Sequence, residues 1–173
     1  MKRYIAVALI FSIGSAFGLT GGYVKLTSSA FAEKERIPSH YTCDGSDISP
    51  PLAIQGVPSQ AKSLVLIMVD PDVPTSIRKS GLNNHWVIFN IPPETTVIPE
   101  GTEPPGVHGL GTSNNTTYKG PCPPYGEHRY FFKLYALDIM LDLQEKATRD
   151  EIEQAMQGHI LDHTELMGVY SRN

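Results

Sequence analysis

Apolar residues follow strand spacing along most of this chain and helical spacing only once. Ser63 to Val69 is a continuous apolar run, Ser-Leu-Val-Leu-Ile-Met-Val. A run of that kind, bounded by a turn signal, reads as a central strand buried on both faces. Asp70-Pro71 stops it, because proline cannot donate to a ladder. Asn84 to Ile91 predicts the next strand, ended by Pro92-Pro93. Tyr130 to Leu137 predicts a third, rich in aromatic residues that favour sheets. Further strands are expected within Gly21 to Phe31, at Leu52 to Ile54, as a short edge at Thr95 to Pro99, and at Glu165 to Arg172. Gly101 to Thr117 reads as a long loop, and loops of that length in compact domains are usually functional or mobile. Helix is predicted once. Thr148-Arg149-Asp150-Glu151 has the capping-box pattern. Ile152, Ala155, Met156, His159 and Ile160 follow at helical spacing, with Gly158 as a weak point. The sum is a mostly β chain with one late helix and no linker.

Composition narrows this picture. The chain has 173 residues, enough for one domain with a sizeable core. Its net charge is −4 and it has no long basic run, which argues against a nucleic-acid partner. Lys2 and Arg3 precede an apolar run from Ile5 to Phe17, and Ala16-Phe17-Gly18 offers small residues at a cleavage position. That is the pattern of an export signal over residues 1–18, followed by one domain over 19–173. A membrane anchor is the alternative, but Ile5 to Leu19 falls short of the roughly 20 residues that span a bilayer. Export places the protein in the periplasm or outside the cell. Cys43 and Cys122 are the only cysteines, and an oxidising compartment permits a bridge between them. Two buried thiols or a reactive pair remain open.

The chemistry gathers in two segments. Tyr118 to Tyr130 is a stiff Gly/Pro-rich loop that delivers His128, Arg129 and Tyr130 to the start of a strand. Asp70-Pro71-Asp72-Val73-Pro74 through His85-Trp86 should form the facing wall. Such a set has three uses. It can bind an anion, with His and Tyr side chains as donors and loop N–H groups forming a nest. It can hold a metal through Asp70, Asp72, His85 and His128. It can hydrolyse a phosphoester, with a histidine as general base. No Gly-x-Ser-x-Gly is present, and His85 and His128 do not form the spaced His-x-x-x-His pair of common zinc enzymes, so nothing favours the last two. Each residue also has a plain structural reading: Asp70 as a turn former, His85 and Trp86 as core residues, Arg129 as the buried partner of an acid.

At these residues the chain resembles the phosphatidylethanolamine-binding proteins, also called Raf-kinase-inhibitor-like proteins, and most of all their exported bacterial branch. The resemblance rests on Asp70-Pro71-Asp72-Val73-Pro74, His85-Trp86, Gly120-Pro121-Cys122-Pro123-Pro124 and His128-Arg129-Tyr130. It is supported by Tyr41-Thr42-Cys43-Asp44-Gly45, Ser49-Pro50-Pro51-Leu52 and Leu134-Tyr135-Ala136-Leu137-Asp138. It implies a large central antiparallel sheet packed on a smaller sheet, with few helices. It implies a small pocket for phosphate-like anions or phosphorylated head groups, made by Asp70, His85, His128 and Tyr130, with Gly120 and Pro121 from the loop and Asp72 and Trp86 beside them. It also implies action by binding rather than catalysis, with no cofactor, as an inhibitor or scaffold toward a kinase- or protease-like protein, although the kinase-binding role of eukaryotic relatives does not carry over to an exported protein; a homodimer is left open. Two departures flank the expected mouth: the basic stretch Ile77-Arg78-Lys79-Ser80-Gly81, and the polar stretch Gly111 to Thr117.

Overall fold

The computed structural model describes residues 23–172, so the expected export signal lies outside the described residues. Two antiparallel sheets form the body. The smaller has the order β1 (Lys25–Ser28), β2 (Leu52–Gln55), β5 (Val97–Ile98). The larger has the order β6 (Val107–His108), β4 (Asn83–Ile91), β3 (Ser63–Asp70), β7 (Glu127–Leu137), β8 (Ile160–Ser171). One helix, α1, spans Arg149–Ala155. This is the expected mostly β architecture of a large sheet packed on a small one.

The run Ser63 to Val69 lacks polar alternation because the large sheet is covered on both faces. Every residue of β3 is buried. Leu64, Leu66 and Met68 pack with Leu26, Leu52, Ile54 and Ile98 of the small sheet. Val65 and Ile67 point the other way, to Val87, Phe89, Leu141, Ile152 of the helix and Met156 just after it. Burying each large apolar side chain contributes about 1.5–3 kcal/mol. The helix serves this second layer. Its capping box forms as expected, with Thr148 and Glu151 satisfying each other's backbone N–H groups.

Three boundaries differ from the sequence reading. The helix ends at Ala155, and Gly158 adopts φ +80 where the chain reverses. His159 and Ile160 therefore lie beyond it. His159 pairs with Asp138 at 2.8 Å, and Ile160 opens β8. Strand β8 begins five residues earlier than the apolar pattern indicated, because Ile160 to Glu165 are mostly exposed and are held by pairing to β7 rather than by burial. Strand β7 likewise begins at Glu127, so His128 lies inside the strand, opposite Tyr170. The expected long loop is tied down in part: β6 pairs with β4, and Gly109 N–H donates to the Val87 carbonyl at 2.8 Å.

Cys43 and Cys122 are bonded, 79 residues apart, and this ties the Gly/Pro-rich loop to the segment after the 3-10 turn Ser39–Tyr41. We expect the unreduced, denatured protein to show no titratable thiol. The double variant Cys43→Ser/Cys122→Ser should lose about 2–4 kcal/mol in urea unfolding. Two free thiols in the purified protein would refute the bridge.

Candidate functional site

The site lies where β3, β4 and β7 meet the Tyr118 to Tyr130 loop. Asp70 is the last residue of β3 and is buried. A buried carboxylate is costly unless paired. Here His128 Nδ1–H donates to Asp70 Oδ2 at 2.7 Å, and both side chains are about 95% shielded from solvent. The other oxygen, Oδ1, accepts the backbone N–H of Asp72 at 2.8 Å. Asp70 thus forms the turn through Pro71 and also lines the cavity.

His85 is placed by an irregularity in the ladder. Trp86 pairs with Met68 and Asn84 with Val69, which leaves His85 as an extra residue on β4. Such a bulge re-aims a side chain. Its Nδ1–H donates to the Lys119 carbonyl at 2.7 Å, which leaves Nε2 as an acceptor for Asn83 Nδ2–H, also at 2.7 Å. The imidazole is therefore neutral. Burial pushes its pKa below the ordinary 6.5, and the Lys119 carbonyl and the Asp70 charge offset this only in part. Tyr130 lies fully buried between the two histidines, edge-on to His85 with ring centroids 5.3 Å apart and stacked on His128 at 6.5 Å. Burial, then the Asp70 charge, raises its phenol pKa well above normal. Its hydroxyl sits near the Cys122 backbone N–H and has no well-formed hydrogen bond.

The loop is held by side chains from elsewhere. Gly120 N–H donates to Asp47 Oδ1 at 2.7 Å, Tyr118 N–H to Glu103 Oε1 at 3.0 Å, and Lys119 N–H to the His85 carbonyl at 3.2 Å. These three N–H groups are committed, so the anion nest expected of this loop does not form from them. Gly120 is required by close approach: a Cβ there would overlap the Tyr41 carbonyl oxygen and Asp47 Oδ1. Pro121 contributes its carbonyl to Cys43 N–H at 3.1 Å.

The result is a cavity of about 300 Å³. Of the residues expected from sequence, Asp70, His85 and Gly120 line it. His128 and Tyr130 stand directly behind them, and Pro121 is the neighbour of Gly120 in the wall. Two expected residues are turned elsewhere. Trp86 is in the core, where its Nε1–H donates to Glu103 Oε2 at 2.6 Å and its ring meets Tyr118 edge-on. Asp72 accepts the backbone N–H, Nε and Nη2 of Arg129 at 2.9, 2.9 and 2.6 Å. Arg129 holds the Asp72 carboxyl below its ordinary pKa. The arginine does partner an acid, but its side chain is 53% exposed rather than buried. With Asp72 so engaged, the four-residue metal set does not converge. Among the described residues no three His, Cys, Asp or Glu side chains come together as metal ligands. Tyr170 donates to Asp44 at 2.8 Å and lines a separate depression with Arg36, Ser39 and Arg172.

Sequence reasoning did not single out Arg78, Asn83, Ser113 or Lys119 as polar lining residues; Val73, Lys119, Cys122 and Pro124 lie within the two segments expected as walls, and Ile77 completes the apolar part. Arg78 and Ser113 lie in the two stretches singled out as unusual. Asn83 carried no signal, and neither did Glu103, which positions both Trp86 and Tyr118.

Comparison with known proteins agrees with this fold. The family model of the phosphatidylethanolamine-binding proteins matches residues 27–171. The UPF0098 protein of Methanothermobacter thermautotrophicus is 50% identical over 155 residues, covering 86% of this chain and 99% of its own. A UPF0098 protein of Chlamydia pneumoniae is 49% identical over 150 residues, covering 87% of this chain and all of its own. Among solved structures, a phosphatidylethanolamine-binding-protein homologue from Chlamydia trachomatis superposes with a TM-score of 0.85 at 45% identity, covering 88% of this chain and 99% of that one. YbcL of E. coli, described as a member of the mammalian family, gives 0.78 at 26% identity, covering 88% of this chain and all of that one. The chain belongs to the phosphatidylethanolamine-binding protein family.

Two outcomes follow from the site's construction. The folded-state pKa of His85 lies below its unfolded value, so the unfolded chain binds the extra proton first. The neutral histidine's contribution is complete above about pH 6.5 and is lost as pH falls beneath it. Thermal unfolding followed against pH should show that loss, and His85→Gln should remove it. Gly120→Ala should cost about 1–3 kcal/mol through overpacking, measured by urea unfolding.

Proposed function

We propose that this chain is a non-enzymatic binding protein that takes a small phosphate-like anion, free or as a phosphorylated head group, in the cavity over Asp70 and His85. The observation that carries the reading is the make-up of the wall. Two cationic side chains, Arg78 and Lys119, line the cavity, and its one carboxylate, Asp70, is already matched by His128. The wall offers little for covalent chemistry. Cys122 is locked in a disulfide, and among the described residues no hydrogen bond joins the Ser113 hydroxyl to His85.

His85 adds a proton to the event. An anion beside it favours the imidazolium. Asn83 Oδ1 is buried without a partner, and turning that amide over would present an acceptor to the protonated Nε2. Binding of a non-titrating anion such as sulfate then takes up a proton and strengthens as pH falls toward the lowered pKa of the buried His85.

The reading extends to a protein partner seated over the mouth, where exposed Ile77 and Tyr125 adjoin the lining residues Arg78 and Pro124 in the chain. It also extends to a periplasmic or secreted location, supported by the Cys43–Cys122 bridge, since disulfides persist in oxidising compartments.

At about a hundredfold excess over Kd, phosphate or phosphoethanolamine should stabilise the fold by about 2.7 kcal/mol. That is a rise in Tm of about 5–10 °C for a chain of this size. His85→Ala and His128→Ala should abolish the increment. His128→Ala also strands a buried carboxylate, so the quantity read is the change on adding ligand and not the starting Tm. An unchanged increment in both variants would sink the pocket assignment. Turnover of a phosphomonoester that disappears in His85→Ala would replace it with the acid/base hydrolase reading.

A further inference from the structure

The described residues include five arginines, and four of them are partnered. Arg36 donates to Ser171, Arg129 to Asp72, Arg149 to Glu153 and Arg172 to Asp44. Arg78 is the exception. It is half-buried and lines the cavity, and its Nε is shielded from solvent without a hydrogen-bond partner. No ion pair among the described residues includes it. Its backbone is nevertheless fixed: Arg78 N–H donates to the Pro74 carbonyl at 3.0 Å, and Gly81 N–H to the Arg78 carbonyl at 2.9 Å. A planar set of donors is thus held at the cavity without a partner among the described residues.

The other donors around the cavity are largely spoken for. The N–H groups of Lys119 and Gly120 are committed to His85 and Asp47, and both ring nitrogens of His85 are engaged. Fixed charge for an anion must therefore come from Arg78, with the exposed Lys119 as a second cation in the wall. A guanidinium matches two oxygens of one phosphorus bidentately, which an ammonium does not.

We propose that Arg78 is a ligand-binding residue that sets specificity, reading the terminal oxygens of a phosphate monoester and so favouring a dianion over a monoanionic diester. This rests on the anion reading of the cavity given above. The two are separable by calorimetric titration with methyl phosphate and with dimethyl phosphate at neutral to slightly alkaline pH. There the monoester, whose second pKa is about 6, carries two charges.

Wild-type protein should prefer methyl phosphate by about tenfold or more, as expected for an added charge-assisted hydrogen bond. Arg78→Gln should lose roughly ten- to a hundredfold in affinity for methyl phosphate while changing dimethyl phosphate binding much less. Arg78→Lys should fall between. Arg78 lies on a surface connection outside both core clusters, so these variants should keep the wild-type Tm without ligand. If methyl phosphate binds the wild type and Arg78→Gln equally well while His85→Ala loses it, the anion reading stands and the role of Arg78 is overturned. If the wild type binds neither ester, both fall together.

Discussion

Asp70 ends a strand that has no exposed face. Strand β3 needs a sheet on one side and a helix with its flanking loop on the other, so its last side chain is delivered into the interior whether or not it is apolar. A carboxylate in that place demands a partner, and removing the partner of a buried charge costs about 3–5 kcal/mol. His128 meets the demand from β7, Tyr130 packs on His128, and His85 packs on Tyr130. The site is therefore continuous with the core. Its floor is made of side chains whose positions are set by the same contacts that hold the two sheets together.

The wall is built differently. Its loop is fixed from outside by Asp47, Glu103 and the bond from Cys43. Each of these anchors uses up a group that an irregular loop would otherwise offer to a ligand. The loop supplies shape, and charge is left to long side chains from its own Lys119 and from the β3–β4 connection. A cavity ordered in this way loses little further freedom when it is filled, which favours affinity.

The fold was largely legible in the sequence because its strongest signals are local. The unbroken run of β3, the proline stops after β3 and β4, and the capping box of α1 each carry a physical cause that survives in the structure. The failures have causes too. Strand β8 runs through polar residues because its hairpin with β7 holds it, and backbone pairing leaves no mark on composition. Helical spacing continued past Ala155 by coincidence, across a glycine that turns the chain. In the site, the motifs pointed to Asp70, His85 and Gly120. The bulge that aims His85 adds one residue to a ladder and cannot be read without the partner strand. Trp86 adjoins His85 in sequence yet belongs to the core, and Arg78 was visible only as part of a basic stretch.

The segment from Glu33 to Ile37 has a separate consequence. Lys34 and Ile37 N–H donate to the carbonyls of Met167 and Val169, Val169 N–H donates to Glu35, and Met167 N–H to the Glu33 carboxylate. These bonds cover the outer edge of β8 along its second half. Farther along, Asp162 takes the N–H of Val24, and Asp162, His163 and Glu165 place polar or charged side chains on the remainder. An open edge strand invites pairing with another chain, and covers and charges of this kind oppose it. Ordering of the first described residues and protection of the large sheet against edge-to-edge assembly are thus one event.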